Sequence, residues 1–390
     1  MSSLTRLLYR SYSTSISQST TNPQFSIKKA CDSLFKEKNL TKLVEKFKQS
    51  SEHYRFRTKH GVYQDTIRRL AHGKRYNKIE EVLELQKKYT DITHEGFANR
   101  IISLYGKSGM LDHAGNMFDE MPELKCERTV KSINTLLNAY VDCKKFGEVE
   151  KLFRELPGKL SVEPDEFSYT ITIKALCELG SLDSARKLFN EMEKKGVKAN
   201  VVTFNILLNA FYEAGRFLDG EKIWGRMEKK EVVPTIKSYN ARLRGLVVAG
   251  KSSEAAKLFE DLKSMETKPD TFSYNVLIKG YCTDGKLDEA KKVYDELVND
   301  PDNVENRWTY ETLIPALCKK GEIDFALKLA RKSILSNCFI HAASVQAVVD
   351  GLVKQSKMED AEKFVKFAKS KSYGESKVKL PSKVESEAAI

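Results

Sequence analysis

The seven cysteines of this 390-residue chain include no Cys-x-x-Cys, and the six histidines are scattered, with no His-x-Glu set against such a pair. Zinc at the usual spacing and a disulfide framework are thereby excluded. There is no glycine-rich phosphate loop and no cluster of aspartates suited to a catalytic metal, so phosphoryl transfer and metal-assisted RNA cleavage lack their parts. No run of about eighteen apolar residues occurs, and no membrane span is expected. These absences describe a non-catalytic protein with no cofactor, no metal, no membrane contact and no small-molecule substrate.

Acidic residues are missing from positions 1–31, where Ser and Thr abound and Arg6 and Arg10 interrupt Leu4, Leu7, Leu8 and Tyr9. That is the composition of an organellar transit peptide, not of a secretory signal with an unbroken apolar centre. The run Arg10-Ser11-Tyr12-Ser13 resembles a mitochondrial processing site. Residues 1–24 are therefore set aside as a disordered leader directed to the mitochondrion, with the chloroplast as the second choice.

What the chain does have is internal repetition. The stretch 201–235, VVTFNILLNAFYEAGRFLDGEKIWGRMEKKEVVPT, lies under 236–270, IKSYNARLRGLVVAGKSSEAAKLFEDLKSMETKPD, position by position. An aromatic-Asn pair opens each (Phe204-Asn205, Tyr239-Asn240), a Gly holds the fifteenth place (Gly215, Gly250), and a Pro the place before last (Pro234, Pro269). A period of ~35 residues marks a solenoid, in which each unit buries its apolar face against its neighbours. The register extends to 95–129, 130–165, 166–200 and 271–306, then in weaker form to 25–59 and 60–94 before them and 307–371 after them. The tail 372–390 is polar and expected to be disordered. Within a unit, apolar residues at i, i+3, i+4 and i+7 predict a first helix, as in Phe204, Leu207, Leu208 and Phe211. Glycine closes it, a second amphipathic helix follows, and the terminal Pro-Asp or Pro-Thr turns the chain into the next cap. The small residue at the twentieth place (Ala114, Ala185, Ala255, Ala290, Ala326, Ala361) lets helices approach. Cys177, Cys282 and Cys318 share the twelfth place, which reads as a small buried position.

These motifs resemble those of the pentatricopeptide repeat (PPR) family of plant organelles, of the plain P type, over 95 to about 371. The tetratricopeptide repeat has a similar period but a different Trp, Leu-Gly and Tyr spacing. The resemblance implies an all-α, right-handed α-solenoid of about ten helix-turn-helix repeats. It also implies that each unit meets one nucleotide, read by its fifth and last residues. Carried onto this sequence, the base-reading pairs are Asn99 with Thr129, Asn134 with Asp165, Thr170 with Asn200, Asn205 with Thr235, Asn240 with Asp270, and Asn275 with Asn306. In the family Asn with Asp prefers U, and Thr with Asn prefers A. The deaminase domain that some relatives carry is not legible here.

The residue types fit that chemistry, since amides and hydroxyls can donate to or accept from a base edge. The closing Asp and Thr would be favoured as helix N-caps in any case. The fifth-place Asn is different, because Asn inside a helix costs on the order of 0.5 kcal/mol relative to Ala. Phe167, Val202 and Phe272 at the second place are suited to stacking on bases; Lys131, Lys237 and Gly96 at that place are not. Further along, Glu311 takes the fifth place, Pro315 should bend the first helix, Trp308 is expected to pack on a neighbour, and Gln346 marks a capping unit.

The formal charge is +12, from 66 Lys and Arg against 54 Asp and Glu, which suits a polyanionic partner. The densest positive stretch is Arg55, Arg57, Lys59, Arg68, Arg69, Lys74 and Arg75, where phosphate contact is expected. Three functions fit the sequence. The first is an accessory component of the mitochondrial ribosome, with ribosomal RNA and mitochondrial ribosomal proteins as its expected partners, since short family members with few code units resemble those found there. The second is a free, sequence-specific binder of single-stranded RNA acting in transcript stability, processing or translation. The third is a protein-binding scaffold of the tetratricopeptide kind.

Overall fold

The computed structural model describes residues 26–371, where all regular structure is helical. The leader expected over 1–24, Phe25 and the tail over 372–390 lie outside the described residues. The chain divides between Pro164 and Asp165 into two compact units. The first contains the pairs Ile27–Lys36 with Leu40–Ser51, His60–His72 with Tyr76–Glu84, Glu95–Lys107 with Leu111–Glu120, and Val130–Asp142 with Phe146–Leu160. A single turn, Tyr54–Arg57, follows the first pair, and the second pair runs out into two 3-10 turns, Leu85–Lys88 and Thr90–Thr93. The second unit contains Glu166–Glu178 with Leu182–Lys194, Val201–Glu213 with Phe217–Lys229, Ile236–Val248 with Ser252–Lys263, Thr271–Thr283 with Leu287–Asn299, Arg307–Lys320 with Ile323–Leu335, and Ala342–Lys354 with Met358–Ser370. The fold class is an α-solenoid of helix-turn-helix repeats.

From 60–94 onward the turn inside each repeat has one geometry, whereas in 25–59 the fifteenth-place Asn39 is extended at φ −81°. Gly109, Gly180, Gly215, Gly250, Gly285 and Gly321 stand at the fifteenth place with φ between +70° and +82°. Lys74, Lys144 and Ser356 take the same place at φ 54°, 57° and 61°, a left-handed conformation that costs a residue with a Cβ about 1 kcal/mol or more. These three repeats thus keep the turn without its glycine.

Between repeats the core is built from an aromatic step. The large residue near the end of one second helix meets the fourth-place aromatic of the following repeat: Phe189 on Phe204 at 5.3 Å, Trp224 on Tyr239 at 5.4 Å, Phe259 on Tyr274 at 4.9 Å between ring centroids. Such steeply inclined pairs add about 0.5–1.5 kcal/mol to the burial of their rings. The twentieth-place alanines are fully or almost fully buried beside them. Where the 201–235 repeat has Gly220 at that place, the space is filled by Tyr212, whose ring would lie 2.4 Å from a Cβ on Gly220 and 2.2 Å from one on Gly245.

The outer helices are joined by ion pairs that recur at a separation of 33 residues, a regularity in the sequence that the repeat reading passed over. They include Lys48–Glu81 (2.6 Å), Lys87–Glu120 (2.5 Å), Arg216–Asp183 (2.9 Å), Lys263–Glu296 (2.7 Å) and Lys357–Asp324 (2.6 Å). All are part-exposed, so each contributes little alone, about 0–1 kcal/mol. Arg307–Lys320 runs as one helix through Pro315.

Candidate nucleic-acid interface

The last residue of each repeat is the N-cap of the next first helix. Asp165, Asp270 and Asn306 make capping boxes with Ser168, Ser273 and Thr309, and Thr129 and Asn200 accept backbone N–H bonds from Lys131 and from Val202 and Thr203. Capping puts that side chain at the mouth of the helix that follows, beside the neighbouring helix that carries the fifth place of the repeat it closes. In the second compact unit the two meet. Asn240 Nδ2 donates to Asp270 Oδ1 (3.0 Å), Asn275 Nδ2 to Asn306 Oδ1 (3.2 Å), and Asn205 Nδ2 to Thr235 Oγ1 at 3.5 Å. Glu311 continues the column: its carboxylate accepts from His341 N (2.9 Å) and Arg307 Nε (2.8 Å).

A third member of the column was missed. The third place is Ser or Thr in seven successive repeats (Ser132, Ser168, Thr203, Ser238, Ser273, Thr309, Ser344), a signal present in the sequence, and every one is buried. Ser238 Oγ donates to Asn205 Oδ1 and Ser273 Oγ to Asn240 Oδ1, both at 2.6 Å; Thr203 and Thr170 share a bond of 2.7 Å. The amides of Asn205 and Asn240 are therefore held at both ends. Asn240 is 7% exposed and Asn275 is 0% exposed, with the Asn275 Oδ1 buried and without a partner. The helix-interior Asn thus has an intramolecular reason to recur, one the sequence reading did not weigh.

Repeats 95–129 and 166–200 are wired differently. Glu95 Oε1 accepts from Thr129 N and Oγ1 (3.1 and 2.7 Å) and from Ser132 N and Oγ (3.2 and 2.5 Å). Partial burial pushes the Glu95 carboxyl up, but the donors of Ser132 and Thr129 outweigh it and hold the group below its ordinary value. In the later repeat Asn200 Nδ2 donates to Glu166 Oε1.

Of the stacking candidates, Phe167 is 64% exposed, Val202 52% and Phe272 37%. Phe272 lies against Trp308, ring centroids 5.1 Å apart, so two successive second-place rings cover one another. Lys131, Lys237 and Gly96 at the same place are also exposed.

The basic stretch separates into two kinds of residue. Arg57 is buried: it pairs with Asp91 at 2.7 Å, donates to Ser51 O at 2.7 Å, and lies over the Tyr89 ring. Arg69 donates to the carbonyls of Leu34 and Glu37, closing the C-terminal end of Ile27–Lys36. Expected phosphate contact at these two is corrected to a structural role, because carbonyls and carboxylates of the fold have taken their donors. Arg55, Lys59, Arg68, Lys74 and Arg75 are exposed, although Arg68 pairs with Asp65. They stand at opposite ends of His60–His72, a helix about 20 Å long, and so make two sites instead of one patch.

The twelfth place is less enclosed than expected. Cys177, Cys282 and Cys318 are half-buried, and desolvation pushes their thiols up to about 12, 11 and 11. Thiols so raised are poor nucleophiles and poor metal ligands. Among the described residues no group of three or more His, Cys, Asp or Glu could hold a metal ion, and no helix is long and apolar enough to cross a membrane. A cavity of about 570 Å³ between the first helices of repeats 166–200 and 201–235 is lined by Lys174, Glu178, Asn209 and Glu213 among others, a mixed charge that does not favour phosphate.

A model of the PPR repeat family matches residues 128–178, 164–213, 199–248, 234–283 and 269–304, and a second, of the PPR repeat, matches 98–126. The chain is 55% identical over 161 residues to the small ribosomal subunit protein mS78 (rPPR3a) of Arabidopsis thaliana, 41% of this chain and 40% of that protein. It is 51% identical over 156 residues to the small ribosomal subunit protein mS79 (rPPR3b) of the same plant, 40% of each chain. The match thus spans well under half the length of these curated relatives. Among solved structures it is similar to the pentatricopeptide repeat protein PPR10 from maize, with a TM-score of 0.54 at 18% identity over 88% of this chain and 58% of that one, a likeness of fold. Five overlapping segments and a sixth before them, together filling 98–304 but for one residue, carry the repeat signature over more than half of the 390 residues, and the chain belongs to the pentatricopeptide repeat family.

Proposed function

We propose that this protein is a non-catalytic RNA-binding repeat protein of organellar gene expression that serves as an accessory component of the mitochondrial ribosome, in contact with ribosomal RNA. The observation that carries the RNA reading is the column of fifth-place, last-place and third-place polar groups over 201–341, flanked by exposed Phe167, Val202 and Phe272. Amides and hydroxyls in a row beside flat apolar side chains offer both edge and face contacts to unstacked bases. The short run of such repeats, with exposed Lys59, Lys74 and Arg75 outside it, suits docking on a structured RNA more than reading a long single strand. The ribosomal assignment is supported by relatives that are named as small ribosomal subunit proteins. Mitochondrial residence agrees with the leader composition of 1–24 and with relatives named as mitochondrial.

Crosslinking and sequencing of the bound RNA from size-fractionated mitochondria tests this reading. Reads on ribosomal RNA in the subunit fraction are expected. Reads confined to one messenger in a light fraction would replace it with a free transcript binder, and a protein-only complex without salt-dependent RNA affinity would replace it with a scaffold.

A further inference from the structure

The first place of the repeat decides which partner the last-place residue takes. Where it is Val201, Ile236 or Thr271, the last residue stays with the fifth-place Asn, at 3.5, 3.0 and 3.2 Å. Where it is a glutamate, the bond moves. Glu95 Oε1 takes the Thr129 hydroxyl and three further donors, while Thr129 Oγ1 accepts from Lys131 N at 3.1 Å. Asn99 receives nothing from Thr129 in these bonds, and its Oδ1 is buried without a partner. Glu166 takes the Asn200 amide, whose Oδ1 is already committed to Val202 N and Thr203 N, at 2.8 and 3.1 Å. Thr170 turns instead to Thr203.

The two arrangements differ in what a base edge would have to displace. Freeing Asn240 Nδ2 leaves Asp270 with its bond from Ser273 N (2.9 Å). Freeing Asn205 from Thr235 or Asn275 from Asn306 breaks a bond between neutral groups. Freeing Thr129 or Asn200, like freeing Asn240 from Asp270, takes a donor from a carboxylate, a bond about twice as strong. What sets Glu95 and Glu166 apart is that they hold the last-place side chain itself as the donor, while Asp270 is the acceptor of its pair.

We propose that Glu95 and Glu166 are specificity-determining positioning residues: each holds the last side chain of its own repeat away from the base edge. Repeats 95–129 and 166–200 then accept any base, and selection falls to repeats with no first-place glutamate, 201–235, 236–270 and 271–306 among them. The inference rests on the RNA reading above and names which repeats do the selecting.

The test is enrichment of a fully randomised single-stranded RNA pool on the full chain, comparing wild type with Glu166→Val, the kind of residue that repeat 201–235 carries at its first place, and with Glu166→Gln, which keeps an acceptor for Asn200. Wild type selects a base, uridine, at the nucleotide facing 236–270 and none at the nucleotide facing 166–200. Glu166→Val gains about fivefold selection at that nucleotide alone, the worth of one hydrogen bond. Glu166→Gln behaves as wild type. Glu95→Val gives the same gain at its own nucleotide, and keeps the readout if Glu166→Val loses its thermal transition. Selection by wild type at the nucleotide facing 166–200, or variants that stay flat there while uridine is still chosen opposite 236–270, overturns the inference and leaves RNA reading standing. A wild type that enriches no base anywhere removes the RNA reading and this inference with it.

Discussion

Gly245→Ala should destabilise the protein although it replaces a helix-interior glycine. In an open helix the change gains about 1 kcal/mol, from propensity and from a less flexible unfolded chain. Gly245 lies within Ile236–Val248, and a Cβ there would stand 2.2, 2.5 and 2.8 Å from three atoms of the Tyr212 ring. The ring is fully buried and cannot back away, because a Cβ on Gly220 would lie 2.4 Å from it and its hydroxyl is bonded to Glu221, itself held by Arg242 at 2.8 Å. Overpacking of this kind costs about 1–3 kcal/mol, so the net change is a loss of up to about 2 kcal/mol. In a Tyr212→Ala background the obstacle is gone and the same substitution should stabilise by about 1 kcal/mol. The coupling of the pair is then about 1–3 kcal/mol, measurable as a double-mutant cycle. Urea unfolding followed by far-UV dichroism and by the fluorescence of Trp224, which packs on Tyr239 in the same neighbourhood, gives the four midpoints. Both probes are needed because repeat arrays can unfold in steps. Equal stabilisation by Gly245→Ala in both backgrounds would show that Tyr212 does not fill the space between the two helices.

Three further outcomes follow from particular contacts. Because hydrogen bonds hold the Glu95 carboxyl below its ordinary value, the ionised form is favoured in the folded state. The stability it contributes is full above that value and is lost as pH falls through the lowered one, so a Glu95→Gln variant should show a shallower loss of urea midpoint on acidification than wild type. Lys74→Ala with Arg75→Ala should leave melting unchanged and reduce the salt dependence of RNA binding by up to about 0.7 per residue in log–log slope, whereas Arg57→Ala, which strands Asp91, should cost a few kcal/mol of stability. Ala255→Trp, at a fully buried twentieth place, should lower the melting temperature sharply; an unchanged transition would mean that the second helix of that repeat does not face its neighbour.

The parts of the fold that were legible are those that every repeat imposes alike. Apolar spacing, the left-handed turn at the fifteenth place and a capping residue at the end are local requirements, and their recurrence averages out the noise of any one copy. The left-handed Lys74, Lys144 and Ser356 were not legible, since the geometry there is kept by the flanking helices and not by the residue. Long-range partners were likewise hidden. Nothing local distinguishes Arg57, enclosed by Asp91, Tyr89 and Ser51, from Arg55 two residues earlier, which reaches only Tyr54. Glu95 and Glu166 read as ordinary acidic residues in a first turn, and only their reach to the end of the repeat sets them apart.

The recurrence of Asn at the fifth place carries less weight for RNA reading than its helix propensity suggests. Its cost against Ala is about 0.5 kcal/mol, and one net hydrogen bond returns about 1 kcal/mol. Asn240 makes two, to Asp270 and from Ser273, in a nearly dry setting, so the fold alone can retain it. Asn240→Ala should accordingly lower stability by about 1–2 kcal/mol even without RNA, because both amide bonds are lost and the Ser273 hydroxyl must turn to Asp270. A loss of RNA affinity in that variant then has two explanations, and the competitor RNA separates them. If Asn240 reads a base, replacing the uridine opposite it weakens binding to wild type but not to Asn240→Ala, measured at a temperature where both are folded. If the amide only ties one repeat to the next, both proteins lose or keep affinity together for every base. Exchange of an internal bond for a bond to the base nets little binding energy in either case, so such a column contributes selectivity, and affinity must come from exposed cations and from stacking at the second place.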